Sequence, residues 1–237
     1  MINVAVIDYG VGNLLSVSRA LLHCGAQVQV TSDPATILAA DRVVLPGVGA
    51  FANGMAALRA NGLDAVVHQV AAAGTPLLGI CLGMQMLMAS SDEFGATTGL
   101  GLIPGRVVQI PGHTTSGAPH KIPHIGWNAL VFPPVQPSAQ PSAQPPTHPP
   151  THPSTHPPGH ASWDGGLLDG ITPGEAVYFV HSFMAMPADP VHRLADCLYG
   201  GIAVSAAVQR GQVLGCQFHP EKSGEVGLRV LHNFLRR

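Results

Sequence analysis

Charge is scarce in this sequence. Asp, Glu, Lys and Arg together make up 10% of its 237 residues, well under the quarter or so usual for soluble domains. The formal net charge is −2 and no basic run occurs. Nothing electrostatic therefore favours nucleic acid or an anionic membrane surface as a partner. Cysteine is sparse too. Cys24, Cys81, Cys197 and Cys216 are scattered with no C-x-x-C pair, so neither a disulfide framework nor a zinc site is expected, and a reducing compartment is the default. Long apolar runs are missing. The longest, Pro76 to Ala89, is broken by Gln85 and is too short to span a bilayer. Met1 to Asp8 carries no basic residue ahead of its apolar stretch, so no secretory signal is expected. A cytoplasmic location follows as the expectation.

What is present is enough to fold. Hydrophobic residues reach 46%, and the length suits one α/β domain or two small ones. Ile2 to Ile7 is a run rich in β-branched residues, apolar but for Asn3, the mark of a strand buried on both faces. Asp8 to Asn13 is a turn that offers G-x-G, but Leu15 stands where a dinucleotide fingerprint needs glycine. Asn13 is placed to cap a helix from Leu14 to about Cys24, ended by Gly25. Ala26 to Thr31 and Arg42 to Leu45 read as strands, with a short helix starting at Ser32-Asp33-Pro34. A helix or helix pair runs on to Ala73 with a break near Asn61-Gly62. Strand alternating with helix predicts a parallel sheet covered on both faces, with sites at the carboxyl ends of its strands. Asp8, Pro46 to Gly49 and Cys81 fall at such ends.

Beyond Ser90 the texture changes. Arg106 to Ile110, Trp127 to Phe132, Ala176 to Phe183, Arg193 to Leu198, Ile202 to Gln209 and Val213 to Phe218 read as strands. They are expected to extend the same sheet, largely antiparallel. A last helix, from about Ser223 to Leu235, takes Ser223 as its cap. Between about 133 and 161 lies a stretch of Pro, Ser, Gln, Thr and His with two Pro-Ser-Ala-Gln repeats. It has almost nothing to bury, so a disordered or polyproline insertion is expected. His148, His152, His156 and His160 recur every four residues there, but the intervening prolines forbid the helix that would align them.

Chemistry concentrates at Pro76 to Met88. A short strand-like run meets a helix-like one at Cys81, with Gly79 and Gly83 two residues to either side. This G-x-C-x-G is the thiol counterpart of the G-x-S-x-G nucleophile elbow. Such a turn needs small neighbours, and a helix start behind the thiol favours a thiolate and later an oxyanion. A cysteine inside an apolar run is more often a small buried hydrophobe. The downstream Gln217-Phe218-His219-Pro220-Glu221 weighs against that. In an extended chain His219 and Glu221 share a face, which suits an imidazole oriented by a carboxylate. Gly47-Val48-Gly49 closes another strand with backbone N–H groups that could join that of Leu82 in an oxyanion hole.

Taken jointly, Gly79 to Gln85 and Gln217 to Ser223 resemble the class I glutamine amidotransferases. Asp8-Tyr9-Gly10-x-Gly12-Asn13-Leu14, Leu45 to Phe51, Pro123 to Asn128 and Tyr178 to Phe183 resemble, within that class, the glutaminase subunits of imidazole glycerol phosphate synthases. The resemblance covers nearly the whole chain apart from the insertion. It implies a single domain over 1–237 of three-layer α/β architecture: a mostly parallel central sheet with helices on both faces, a flavodoxin-like core and an antiparallel extension. It implies Cys81, His219 and Glu221 as catalytic residues. Leu82 with Val48 or Gly49 would supply the oxyanion hole, and Gln85, Glu93, Ser182 and Phe183 would bind L-glutamine. Asn13, Trp127, Tyr178 and Lys222 match positions near a (β/α)8 synthase partner, to which ammonia passes. No cofactor and no metal are implied. Leu15 departs from the arginine common after Gly-Asn-Leu, which puts the partner surface in doubt rather than the chemistry. The glutaminase subunit of another class I amidotransferase, a cysteine peptidase of similar elbow geometry and a non-catalytic binding module are the alternatives.

Overall fold

The structure is a computed structural model that describes residues 1–133 and 162–237; the expected insertion lies, Pro133 apart, outside the described residues. Among the described residues, thirteen strands and six α-helices follow one another. The order is β1 (Asn3–Ile7), α1 (Leu14–His23), β2 (Gln27–Thr31), α2 (Pro34–Leu38), β3 (Arg42–Gly47), α3 (Phe51–Ala60), α4 (Leu63–Ala72), β4 (Leu77–Cys81) and α5 (Leu82–Met86). Then come β5 (Met88–Ser91), β6 (Thr97–Thr98), β7 (Ile103–Gln109), β8 (His124–Val131), β9 (Ala176–His181), β10 (Phe183–Pro187), β11 (Arg193–Tyr199), β12 (Ile202–Arg210), β13 (Val213–Cys216) and α6 (Gly224–Arg236).

Nine strands make one sheet, in the order β2-β1-β3-β4-β13-β12-β11-β8-β9. From β2 to β13 every pairing is parallel. From β13 to β9 every pairing is antiparallel. β1 explains why the sheet needs a layer on each face. Val4 and Val6 pack into one hydrophobic cluster with Val17 and Leu21 of α1 and Val230 and Phe234 of α6. Ala5 and Ile7 point the other way, into a second cluster with Ile37 of α2, Met55 of α3 and Val67 of α4. Successive side chains of a strand alternate faces, so a run with no polar residue can only sit between two apolar layers.

Three expectations need correction. The strand read at Arg106 to Ile110 is part of β7, and β7 does not extend the main sheet. It joins β10, β5 and β6 in a second, four-stranded sheet. Ile103 and Val107 of β7 and Ala185 of β10 pack into the cluster that holds α3 and α4, so this sheet is a lid on one face of the larger one. Ala176 to Phe183 is accordingly two strands. β9 ends at His181, and Phe183 begins β10 in the other sheet. Finally, β13 pairs parallel with β4, Gly215 opposite Gly79, which brings the chain leading to His219 beside the strand that carries Cys81.

Candidate active site

β4 and α5 meet at Cys81 through close backbone packing. A Cβ at Gly83 would collide with the Leu45 carbonyl oxygen, and one at Gly79 would lie 2.7 Å from the Met84 nitrogen. Both glycines are needed because α5 is pressed against β3 and β4, while the conformational strain falls on Cys81 itself. Its φ is +54° and ψ −110°, a conformation that L-residues rarely adopt and that costs about 1–3 kcal/mol. Cys81 stays packed against the core and is 7% exposed. α5 spans only Leu82–Met86, with β5 starting at Met88, so the helix behind Cys81 is a little over one turn. Its dipole is correspondingly small, and the oxyanion role rests on positioned N–H groups instead.

Cys81 opens into a cavity of ≈ 480 Å³ that also holds Val48, Gly49, Leu82 and His219. Gln85, Glu93, Ser182 and Phe183 line it as well. Every residue expected at the thiol, the oxyanion hole or the glutamine subsite is thus at one place. His219 Nδ1 lies 2.8 Å from Glu221 Oε1, and the side chains of both are buried, at 3% and 0% exposure. The chain there is not extended as the sequence suggested. Pro220–Lys222 form a 3₁₀ turn, and the turn, rather than strand alternation, brings the carboxylate under the ring. His219 Nε2 is buried with no hydrogen-bond partner among the described residues. It is the nitrogen left to act on the thiol. Burial by itself would lower the His219 pKa, but Cys81 and Glu221 outweigh it and raise the ring to about 9.

Asn13 and Ser223 stand at the N-cap positions of α1 and α6, as expected, but their side chains do not cap. The Ser223 hydroxyl donates to the His219 carbonyl at 2.7 Å and accepts the Tyr178 amide at 3.0 Å, tying the histidine to β9. The Asn13 amide donates to Glu221 Oε1 at 3.3 Å. Glu93 has a part in the fold as well as a place at the cavity wall: its carboxylate accepts the Phe51 amide at 2.6 Å, at the start of α3.

Gln85 is oriented from both sides. Its Nε2 donates to the Phe183 carbonyl and to Gln217 Oε1, each at 2.9 Å. The Gln217 amide in turn approaches Cys81 Sγ at 3.8 Å. The Phe183 carbonyl also lies 2.8 Å from His181 Nδ1, and His181 Nε2 lies 3.0 Å from His124 Nδ1. Burial lowers the His181 pKa to about 3 and that of His124 to about 4, with the His120 charge adding to the shift of His124. His181, His124, Gln217 and the buried Tyr9, whose hydroxyl donates to the Pro46 carbonyl at 2.7 Å, were not singled out by sequence. All four stand inside recognised motifs, and nothing local distinguishes them from residues of the scaffold.

Cys24, Cys197 and Cys216 are free thiols outside this cavity. Burial raises the pKa of all three, Cys197 to about 12, which disfavours the reactive thiolate. Among the described residues no group of three or more His, Cys, Asp or Glu could hold a metal ion, and no helix is long and apolar enough to cross a membrane. Trp127 and Tyr178 face each other across β8 and β9 with ring centroids 6.1 Å apart. Trp127 is 56% exposed and so is not a core residue. Lys222 is exposed, as is Leu15 at 62%.

The family model of glutamine amidotransferase class-I matches residues 5–237. The imidazole glycerol phosphate synthase subunit HisH 1 of Legionella pneumophila (strain Lens) is 49% identical over 236 residues, covering 100% of both chains. Subunit HisH of Moorella thermoacetica is 43% identical over 231 residues, 98% of this chain and 93% of that one. Among solved structures, PurLQS from Thermotoga maritima has a TM-score of 0.67 at 19% identity, covering 100% of this chain and 99% of the other. A crystal structure of a glutamine amidotransferase has a TM-score of 0.65 at 16% identity, with 99% of each chain covered. These last two likenesses are of fold alone.

Proposed function

The chain belongs to the class-I glutamine amidotransferase family, and we propose the following division of labour for it as the glutaminase subunit of an imidazole glycerol phosphate synthase. The Cys81 sulfur attacks the side-chain carboxamide of L-glutamine. His219 Nε2 takes the thiol proton and delivers it to the departing ammonia, while Glu221 holds the ring through Nδ1. The backbone N–H groups of Leu82 and of Val48 or Gly49 hold the oxyanion. Water then cleaves the γ-glutamyl thioester, with His219 as its base, and glutamate leaves.

The observation that carries this reading is the strained Cys81 in one cavity with a histidine whose Nδ1 is committed to a buried carboxylate and whose Nε2 is free. The glutamine subsite follows from the amide orientation. With both Nε2 hydrogens of Gln85 engaged, its carbonyl oxygen is the end left for the ammonium of glutamine. Glu93, Ser182 and Phe183 complete the subsite in this reading. Ammonia passes to a (β/α)8 synthase subunit, which closes the imidazole ring of imidazole glycerol phosphate and releases an aminoimidazole carboxamide ribotide. The exposed Trp127 and Lys222, the half-buried Tyr178 and the neighbouring Asn13 would face that partner. The family match over 5–237 supports taking the whole chain as one amidotransferase domain, and the free thiols support a reducing, cytoplasmic compartment. The reading needs no cofactor.

Glutamate release from L-glutamine, by the chain alone and with the synthase subunit, tests the proposal. Release that survives Cys81→Ala, or none in the wild-type complex, would overturn it.

A further inference from the structure

With both rings neutral, the hydrogen-bond chain behind the glutamine subsite has one consistent proton arrangement. The Phe183 carbonyl can only accept, so His181 Nδ1 carries a hydrogen. A neutral His181 then offers a lone pair at Nε2, and His124 Nδ1, 3.0 Å away, must donate to it. His124 Nε2 is left as an acceptor for the Asn128 amide at 2.8 Å. A second proton on His181 would set an N–H against the N–H of His124. His124 cannot turn away, because its ring is stacked between Tyr199, with centroids 3.9 Å apart, and Phe179, at 4.8 Å. Both histidines are buried, at 1% for His124 and 7% for His181, and burial disfavours the charged form.

The consequence reaches the substrate. The Phe183 carbonyl is fixed by His181, and it is one of the two acceptors that hold the Gln85 amide. We propose that His181, kept neutral and aimed by His124, is a positioning residue that makes the glutamine subsite present an acceptor, rather than a donor, to the ammonium end of glutamine. This rests on the reading of the cavity as the glutamine subsite. His124 lies behind the cavity wall and touches no reacting atom, so its substitution separates positioning from chemistry.

Two variants separate the hydrogen bond from the packing. His124→Phe keeps a ring between Tyr199 and Phe179 but removes the donor. His124→Asn loses the ring but keeps a donor where Nδ1 was. His124→Phe should raise KM for glutamine about tenfold with kcat little changed, and should move the acid limb of kcat/KM to higher pH as His181 becomes free to protonate. His124→Asn should stay near wild type in both. Turnover of 4-carbamoylbutanoate, which lacks the ammonium, should be unaffected by His124→Phe. The reverse order, with Phe benign and Asn damaging, would reduce His124 to packing and overturn the proposal. Equal effects on glutamine and its deamino analogue would do the same. Failure of glutamine to protect wild-type Cys81 from alkylation would instead sink the subsite reading beneath it. A measurement on the wild-type chain requires no variant: ¹⁵N-detected imidazole spectra should place both hydrogens on Nδ1 down to about pH 5, a range in which buried histidines stay neutral. An Nε2-protonated His181 would end the argument.

Discussion

Asn13 and Glu221 are 208 positions apart in the chain, and the Asn13 amide donates to the same Glu221 oxygen that faces His219 Nδ1. The turn after β1 is thereby joined to the far end of the proposed Cys81–His219–Glu221 triad. The other carboxylate oxygen is buried without a partner among the described residues, so Asn13 is one of few groups holding that carboxylate in register. Asn13→Ala should lower kcat for glutamine hydrolysis about three- to tenfold, the range of one long hydrogen bond to a charged group. Asn13→Asp, which sets a second carboxylate against the first, should cost more. Titration with the synthase subunit decides between this role and the interface role that sequence resemblance assigns. Weakened partner affinity with unchanged kcat would return Asn13 to the interface.

Cys81, the proposed nucleophile, also carries the strained backbone. Cys81→Ala should reduce glutamine-dependent synthesis by roughly a thousandfold or more, while the complex still uses added ammonium. Cys81→Gly removes the strain as well as the thiol. It should be more stable than Cys81→Ala by about 1 kcal/mol, since glycine tolerates a positive φ. Urea denaturation of the two inactive variants measures the difference, and equal midpoints would show that the elbow stores no strain.

The glycines around the site differ in why they are glycine. At Gly83 a Cβ would strike the Leu45 carbonyl, whereas at Gly49, with φ +95°, it would meet nothing within 4 Å. Gly83→Ala should therefore cost about 3 kcal/mol or more, or fail to fold, because backbone must move. Gly49→Ala should cost only the φ strain, about 1–2 kcal/mol. Its larger effect should fall on kcat, through the oxyanion N–H. Thermal melts with matched kinetics separate the two.

Stability should fall on both sides of neutrality, for different histidines. His219 has a folded pKa raised to about 9. Its contribution is fully present below the unfolded value of about 6.5 and is lost as pH rises through about 9. His181 and His124 are depressed to about 3 and about 4. Theirs is present above about 6.5 and is lost as pH falls toward those values. Urea midpoints across pH 4 to 10 should trace both limbs. His219→Gln should flatten the alkaline limb alone, and His124→Phe should alter the acid limb alone.

Much of the site was legible because its chemistry is written in short spacings. Gly79-x-Cys81-x-Gly83 and His219-x-Glu221 each lie within one turn, where local backbone geometry governs what meets what. The two-faced burial of β1 was equally readable, since side-chain alternation along a strand is a local property. Local rules misled where a nearer partner competes with a distant one. Asn13 and Ser223 have the side chains and positions of caps, but the Glu221 carboxylate and the His219 carbonyl receive their hydrogens instead, and a capping rule sees only three residues ahead. The strand content of the second half was readable, yet the sheet each strand joins was not. β7 and β9 are both apolar strands, and only the packing of β10 and β5 over α3 and α4 draws β7 into a second sheet. The His124–His181 pair is the furthest from sequence. Two histidines 57 positions apart become one hydrogen-bonded unit because β8 and β9 pair antiparallel with His124 opposite His181, and that register exists only once the sheet is built.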